Sequence, residues 1–418
     1  MEKLTAVVIG YGSRGKRYSD YALLKPEEFE IKAICEPVDE KREYGGKIHN
    51  IKKNMLFKDF RELEKLPRLS DVAIIATQDD MHFEPAMMLI EKGYNLLLEK
   101  PISPSPLECK KIYEAAEKKG VNVIVCHVLR FTPFWSKLKE IIDDGEVGEI
   151  MSIIHTEDVG HLHYAHSFVR GNWNNAKKSS PMILAKSCHD TDLLQWLIGK
   201  ECHKVQSFGS LTHFTKENKP KGAPKRCYEG CPHGEECYYN SYKFYYENKH
   251  HWRDVIANTV NATDEEVLNA LKTTDYGRCV YDCDNDVVDH QVVNMEFDGG
   301  CTVSFTMTPF NKGGRRMSIF GTKGEIQASM TDNKITLYSF STRETTEYNL
   351  EKIGEGIESG HGGGDVGIMK DTFCFLKKGV KPKSICDVRT SYLSHLIAFA
   401  AEESRVTGKV VKIDDFIN

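Results

Sequence analysis

No stretch of this chain comes near the 18 or so consecutive apolar residues that a membrane-spanning helix needs. No apolar core of a secretory signal precedes the first strand pattern, so a cytoplasmic protein with no membrane partner is expected. Basic residues are nowhere concentrated. The 56 Lys and Arg stand against 61 Asp and Glu, for a net charge of -5, which argues against a nucleic-acid partner. There is no repeat of fixed period and no low-complexity linker. Cysteine, by contrast, is plentiful. Its thirteen copies are an odd number in unlike contexts, which fits reduced thiols plus one metal cluster better than a disulfide framework. A length of 418 residues is too great for one ordinary domain, and two are expected.

The most informative motif comes early. Leu4-Thr5-Ala6-Val7-Val8-Ile9 is a β-rich apolar run that reads as a buried strand. Gly10-Tyr11-Gly12-Ser13-Arg14-Gly15 follows it directly. Gly10 suits a tight turn, Gly12 lets backbone approach a pyrophosphate, and Gly15 lets the next helix pack on the strand. The phosphates then meet a helix N-terminus. A second strand over 30–35 ends at Glu36, placed to accept hydrogen bonds from an adenosine ribose. That carboxylate favours NAD over NADP, because a 2′-phosphate would meet a like charge.

Further strands are read over 71–76, 94–98 and 121–128. The third of these carries the first domain to its end near residue 128. The turn from Thr77 to His82 and the tripeptide Glu99-Lys100-Pro101 lie at strand C-termini. In open α/β sheets, ligands gather there. Gly10 to Gly15, Glu36, Thr77, His82, Glu99 and Lys100 are therefore the candidate cofactor contacts. Residues 1–128 are expected to form a dinucleotide-binding Rossmann-type α/β domain.

From 129 to 418 the pattern changes. Helices are expected over 134–143, 183–198 and 387–405. Strands are expected over 149–155, 204–211, 289–297, 301–308, 316–320, 324–328 and 334–339, with Gly299-Gly300 as a hairpin turn. This is an α+β domain with a large open, mostly antiparallel sheet. One face of such a sheet is free to meet another subunit, so a homodimer or homotetramer is expected. A cysteine-bearing insertion spans about 215–285.

The chemistry concentrates in three places. Lys186, His189 and Asp190 share one face if the helix is continuous. Buried ionisable groups are costly unless paired or used. His189 has the ordinary pKa for taking a proton from an alcohol. Lys100, if desolvated, is an acid–base group in its own right. Lys100, His189 and Lys186 are the candidate catalytic residues. His155, Glu157, His161, His163, His166 and Arg170 crowd together, with Trp173 close behind. Arg, His and Glu beside an aromatic ring suit a hydroxylated substrate, and no metal-binding HExxH spacing is present. Arg130, Glu157, His163, His166, Arg170, Trp173 and Asp190 are the candidate substrate contacts. The turn His361-Gly362-Gly363-Gly364-Asp365 reads either as a loop over the substrate or as a plain connection. Cys227, Cys231, Cys237 and Cys279 are candidate ligands for a structural zinc or an iron–sulfur cluster. Free thiols and disulfides are the alternatives.

These marks resemble the glucose–fructose oxidoreductase/inositol dehydrogenase (Gfo/Idh/MocA) family over the whole chain. They are the glycine turn, the Thr77 to His82 turn, Glu99-Lys100-Pro101, and His189 three residues before Asp192. The resemblance implies bound NAD(H) or NADP(H), a sugar or cyclitol substrate, and Lys100 and His189 as the catalytic lysine and histidine. The family's helix has an aspartate four residues before the histidine; here that position is Ala185. Three functions follow. The first is NAD(P)-dependent hydride transfer to or from a secondary hydroxyl of a sugar, glycoside or cyclitol. The second is NAD-dependent glycoside cleavage through transient oxidation and elimination. The third is a non-catalytic sugar or redox sensor.

Overall fold

The computed structural model describes residues 2–351 and 361–417. Six parallel strands form the first sheet: β1 (Leu4–Ile9), β2 (Phe29–Cys35), β3 (Leu56–Phe57), β4 (Val72–Ile75), β5 (Asn95–Leu98) and β6 (Val123–Val125), in the order β3-β2-β1-β4-β5-β6. β1 and β4 are almost wholly buried, as strands covered on both faces must be. The strand order reverses between β1 and β4, and this opens a crevice at their carboxyl ends. This is the expected Rossmann-type sheet.

One strand is shorter than its apolar run suggested. The 121–128 pattern yields only Val123–Val125, followed by a 3-10 turn at Val128–Phe131. The late chain is the cause. Val125 N–H donates to Cys386 O (2.9 Å), and Ile124 bridges Asp387. Pro133 then opens the next helix, capped by Thr132.

The second sheet has nine strands: β7 (Ile150–Asp158), β8 (Cys202–Ser210), β9 (His290–Phe297), β10 (Thr302–Thr308), β11 (Gly314–Gly321), β12 (Gly324–Ser329), β13 (Lys334–Ser339), β14 (Thr345–Asn349) and β15 (Val411–Lys412). Their order is β14-β13-β12-β11-β7-β10-β9-β8-β15. β7 and β10 run parallel and the remaining pairs antiparallel. Gly299 (φ 74°) and Gly300 (φ 82°) make the β9–β10 turn, where left-handed backbone favours glycine. Side chains alternate along β10: Val303, Phe305 and Met307 point into the core beneath the Cys188–Ile198 and Val388–Thr407 helices. The other face stays open, with Met151, Ile154 and Phe208 about half exposed.

The two sheets are not built from separate stretches of chain. The Gly364–Lys378 helix returns to the first sheet. Ile368, Met369 and Phe373 pack with Val8, Ile74, Leu97 and Ile124 in one buried cluster.

Candidate active site

The glycine turn has the shape its sequence requires. Gly10 has φ +85°, and a Cβ there would lie 2.7 Å from Ala76 O. A Cβ on Gly15 would lie 1.9 Å from Gly10 O, so the helix at Ser13–Ser19 can sit this close only with glycine. Gly12 is different: nothing lies within 4 Å of its Cβ position. The space beside it is what a pyrophosphate needs. Tyr11 N–H and Val38 N–H both donate to the Glu36 carboxylate (2.7 and 3.0 Å), fixing it at the end of β2. The hydroxyl of Thr77, at the end of β4, is buried without a partner. These features fit a dinucleotide lying across the strand ends.

Other residues of the predicted cradle are committed elsewhere. Arg14 Nε donates to Glu99 Oε1 (2.7 Å), and its Nη2 donates to Asp365 Oδ1 (2.7 Å). Tyr18 OH donates to the same Glu99 oxygen (2.6 Å), and Lys100 N–H to the other (2.9 Å). Burial works against the Glu99 carboxylate. Arg14, Lys100 and Tyr18 outweigh it and hold its pKa below the ordinary value. His82 is fully buried and bonds Pro101 O (2.8 Å) and Thr77 O (3.2 Å). It positions the turn behind Lys100.

The predicted helix over 183–198 is broken. It forms Met182–Ala185 and Cys188–Ile198, with Lys186 and Ser187 between. Lys186, His189 and Asp190 therefore do not share one helical face. The break frees Ala185 O, which accepts from Lys100 Nζ at 2.8 Å. Thus a backbone carbonyl takes the lysine ammonium at the position where the family's helix carries an aspartate. His189 is buried and its Nδ1 has no partner. Burial, then the charges of Lys100, His127 and Arg315, drive its pKa well below the ordinary value, so its imidazole is neutral.

The carboxylate of this site comes from β7. Lys186 Nζ lies 3.5 Å from Glu157 Oε1, and Arg315 Nη2 lies 2.5 Å from Glu157 Oε2. Burial raises the Glu157 pKa despite Arg315, and burial lowers that of Lys186 despite Glu157. Burial thus shifts both groups toward their neutral forms. His163 belongs here too: burial, then the charges of Lys186, His166, His361 and Lys100, lower its pKa.

Four candidate substrate contacts are placed elsewhere. Asp190 is fully buried. It accepts from His155 Nε2 (2.7 Å) and Arg315 Nε (2.8 Å), so its oxygens are spent on orienting these groups. Arg130 makes a buried bidentate pair with Asp192 (2.7 and 2.6 Å). His166 bonds Tyr245 OH (2.7 Å) and stacks on Trp252, inside the insertion's aromatic cluster. Arg170 donates to two carbonyls, Arg278 O and Tyr239 O (2.7 Å each). In each case a buried polar group found a local partner, as its desolvation demands. Trp173 docks the second domain on the first, its Nε1 donating to Asp79 (3.1 Å).

The thiols of Cys227, Cys231, Cys237 and Cys279 are unbridged. Among the described residues one group of three ligand-type atoms lies within 4.8 Å: His127, Asp192 and Cys386. Arg130 already occupies both Asp192 oxygens there, which leaves little charge for a cation.

The family models match both halves. The NAD-binding Rossmann fold of the GFO_IDH_MocA oxidoreductase family covers residues 4–127, and its C-terminal alpha/beta domain covers 139–413. The chain belongs to the Gfo/Idh/MocA family of oxidoreductases. Its similarity to the Bacillus subtilis (strain 168) protein YteT, named only by the class oxidoreductase, is 27% identity over 342 residues. That is 76% of this chain and 78% of YteT. Its similarity to the 2,7-anhydro-N-acetylneuraminate hydratase of Escherichia coli (strain K12) is 29% over 147 residues, 35% of this chain and 38% of the hydratase. The fold matches that of a levoglucosan dehydrogenase solved with NADH and levoglucosan. The TM-score is 0.71 at 19% identity, covering 99% of this chain and 100% of the other.

For a Gfo/Idh/MocA protein, the resemblance marked Lys100 and His189 directly. Arg315, His127 and the Arg14–Asp365 pairing gave no local signal. Arg315 sits on an ordinary strand, and its partners are far away in sequence. Asp365 was visible only as the end of a glycine turn. Gly364 is required there, because a Cβ would lie 2.2 Å from Val128 O.

Proposed function

We propose that this protein is an NAD-dependent dehydrogenase of a secondary hydroxyl on a sugar, glycoside or cyclitol. The observation that carries the reading is the meeting of Lys100 with the broken helix that bears His189. Bound NAD supplies the hydride acceptor. Gly10, Gly12, Gly15, Glu36 and Thr77 hold it. The neutral His189 imidazole accepts the hydroxyl proton. Lys100, anchored on Ala185 O, donates to the same oxygen and orients it. His163, whose ring lies in the field of Lys186 and Lys100, is the candidate for a substrate contact beside them, and Arg130, His166 and Arg170 stay structural. The relatives support the substrate class: one is named for an anhydro-sialic acid, and one neighbour was solved with an anhydrosugar.

A second reading rests on the Lys186–Glu157 pair. Elimination after transient oxidation needs a further base for a ring C–H, and a pair shifted toward neutrality can supply one. A panel of sugars, glycosides, anhydrosugars and inositols separates the two. NADH accumulation with added NAD supports the dehydrogenase. Release of an aglycone without net NADH supports the elimination. Tight NAD binding with neither product on any carbohydrate leaves the sensor.

A further inference from the structure

The insertion poses a physical problem. Residues 219–240 contain no helix or strand beyond a single bridge from Arg226 to Arg278. Of this stretch only Tyr239 is buried in an apolar cluster, with Cys237 partly covered beside it, and the insertion's separate cluster of Tyr245, Ile256, Val267, Ala270 and Leu271 takes none of its side chains. Segments with so little core are ordered by staples, either disulfides or metals. All thirteen cysteines are unbridged.

Cys227, Cys231, Cys237 and Cys279 line one cavity of about 220 Å³. Backbone bonds hold its two sides together, Cys227 N–H to Gly277 O (3.0 Å) and Cys279 N–H to Lys225 O (2.9 Å). Arg170 also lines it. This arginine is 5% exposed, and its Nη2 points at Cys227 Sγ (3.7 Å). Its other partners are the two carbonyls, and among the described residues it has no carboxylate in ion-pair range. A buried guanidinium without an anion is strongly disfavoured. Four neutral thiols do not balance it, whereas four thiolates on a metal centre do.

The spacing bears on the kind of centre. A tetrahedral zinc with Zn–S bonds of about 2.3 Å brings its sulfurs within about 3.8 Å of one another. No three of these four thiols lie within 4.8 Å of one another. A cube of four irons and four sulfides holds its thiolates further apart and fills a roomier cavity.

We infer that Cys227, Cys231, Cys237 and Cys279 ligate a four-iron, four-sulfide cluster, with Arg170 as its buried counter-cation. Each thiol loses its proton on ligation. The N–H of Arg170 toward Cys227 is the kind of contact that tunes a cluster sulfur. Cys283 is the spare thiol. It lies outside the cavity lining and donates to Cys279 O (3.3 Å). The cluster staples the insertion that carries Trp252 against His163 (ring centroids 5.6 Å).

The test uses the full chain, purified without oxygen and, in parallel, reconstituted with ferrous iron and sulfide. About four iron and about four acid-labile sulfide per chain are expected, with a broad visible absorption that bleaches on reduction. Single Cys→Ser changes at 227, 231, 237 or 279 should lower iron content at least twofold, and Cys283→Ser should leave it unchanged. If the ligand variants fail to fold, the iron and sulfide content of the wild type decides alone. One equivalent of zinc without iron overturns the inference. So does a metal-free, NAD-binding protein whose four thiols alkylate freely after reconstitution. Neither result depends on which carbohydrate the protein oxidises.

Discussion

At the scale of the residue, the site is made by burial set against charge. Lys100 reaches from the first sheet to a carbonyl of the second domain. Removing its ammonium takes away the donor to the reacting oxygen and leaves the glycine cradle untouched. Lys100→Ala should cut turnover roughly a hundredfold or more while NAD binding, read by NADH fluorescence, stays within a few-fold. Near-normal turnover would remove Lys100 from the catalytic role. The histidines make a second prediction. Burial lowers the pKa of His166 and His395 to about 3 and of His49 to about 4, and puts His127 and His189 well below the ordinary value. In the unfolded chain they protonate near pH 6.5. As pH falls below about 6.5, the unfolded state binds more protons and stability falls. Each such histidine costs about 1.4 kcal/mol per pH unit until its folded pKa is reached. The melting temperature should therefore drop steeply between pH 6.5 and 5, before the carboxylates titrate. A flat profile over that range would contradict the buried neutral imidazoles.

At the scale of the element, the insertion does more than decorate the second sheet. Its residues 258–260 reach the helix Asp39–Ile48, just beyond Glu36. Lys41 Nζ donates to Asn258 Oδ1 (2.6 Å), and Glu40 Oε1 accepts from Val260 N–H (3.2 Å) and from the Thr259 hydroxyl. This strap ties the insertion to the helix that follows Glu36, the residue proposed to meet the adenosine ribose. Glu40→Ala should speed NADH release several-fold in stopped-flow displacement, with little change in the chemical step. Unchanged release would make the contact incidental.

The same scale shows what was legible in the sequence. Period-2 and fully apolar runs marked β1, β2, β4, β5 and most of the second sheet, because each face's burial is written locally. The glycine turn and Glu36 stood out by local spacing after a strand, and Lys100 and His189 were marked as candidates by the family resemblance. β14, with only Tyr348 partly covered, carries almost no apolar signal. The helix break at Lys186 was invisible because Met182 to Ile198 contains neither glycine nor proline to mark it. The break coincides with the interdomain bond from Lys100 to Ala185 O, a partner 85 residues away in sequence. Arg130, His166 and Arg170 looked like substrate contacts because residue type cannot tell a crevice from a buried partner.

At the scale of the whole molecule, two surfaces matter. The open sheet face with Met151, Ile154 and Phe208 is the surface on which the sequence reading expects a second copy. The other is the closed face of the first sheet, where Ile368, Met369 and Phe373 take the place of a local helix. A fragment ending at residue 128 loses those side chains, each worth about 1.5–3 kcal/mol when buried. It should be unfolded or aggregated by circular dichroism, although it contains all six strands. A cooperatively melting fragment would overturn this.

That return of the chain also sets a clock. Synthesis runs at about 5–20 residues per second, and Met369 follows β6 by about 240 residues. For roughly 10–50 s, a nascent chain carries all six strands without the side chains that close one side of their sheet. The first domain to be made is thus among the last to be completed, and the cell must shelter it in the interval.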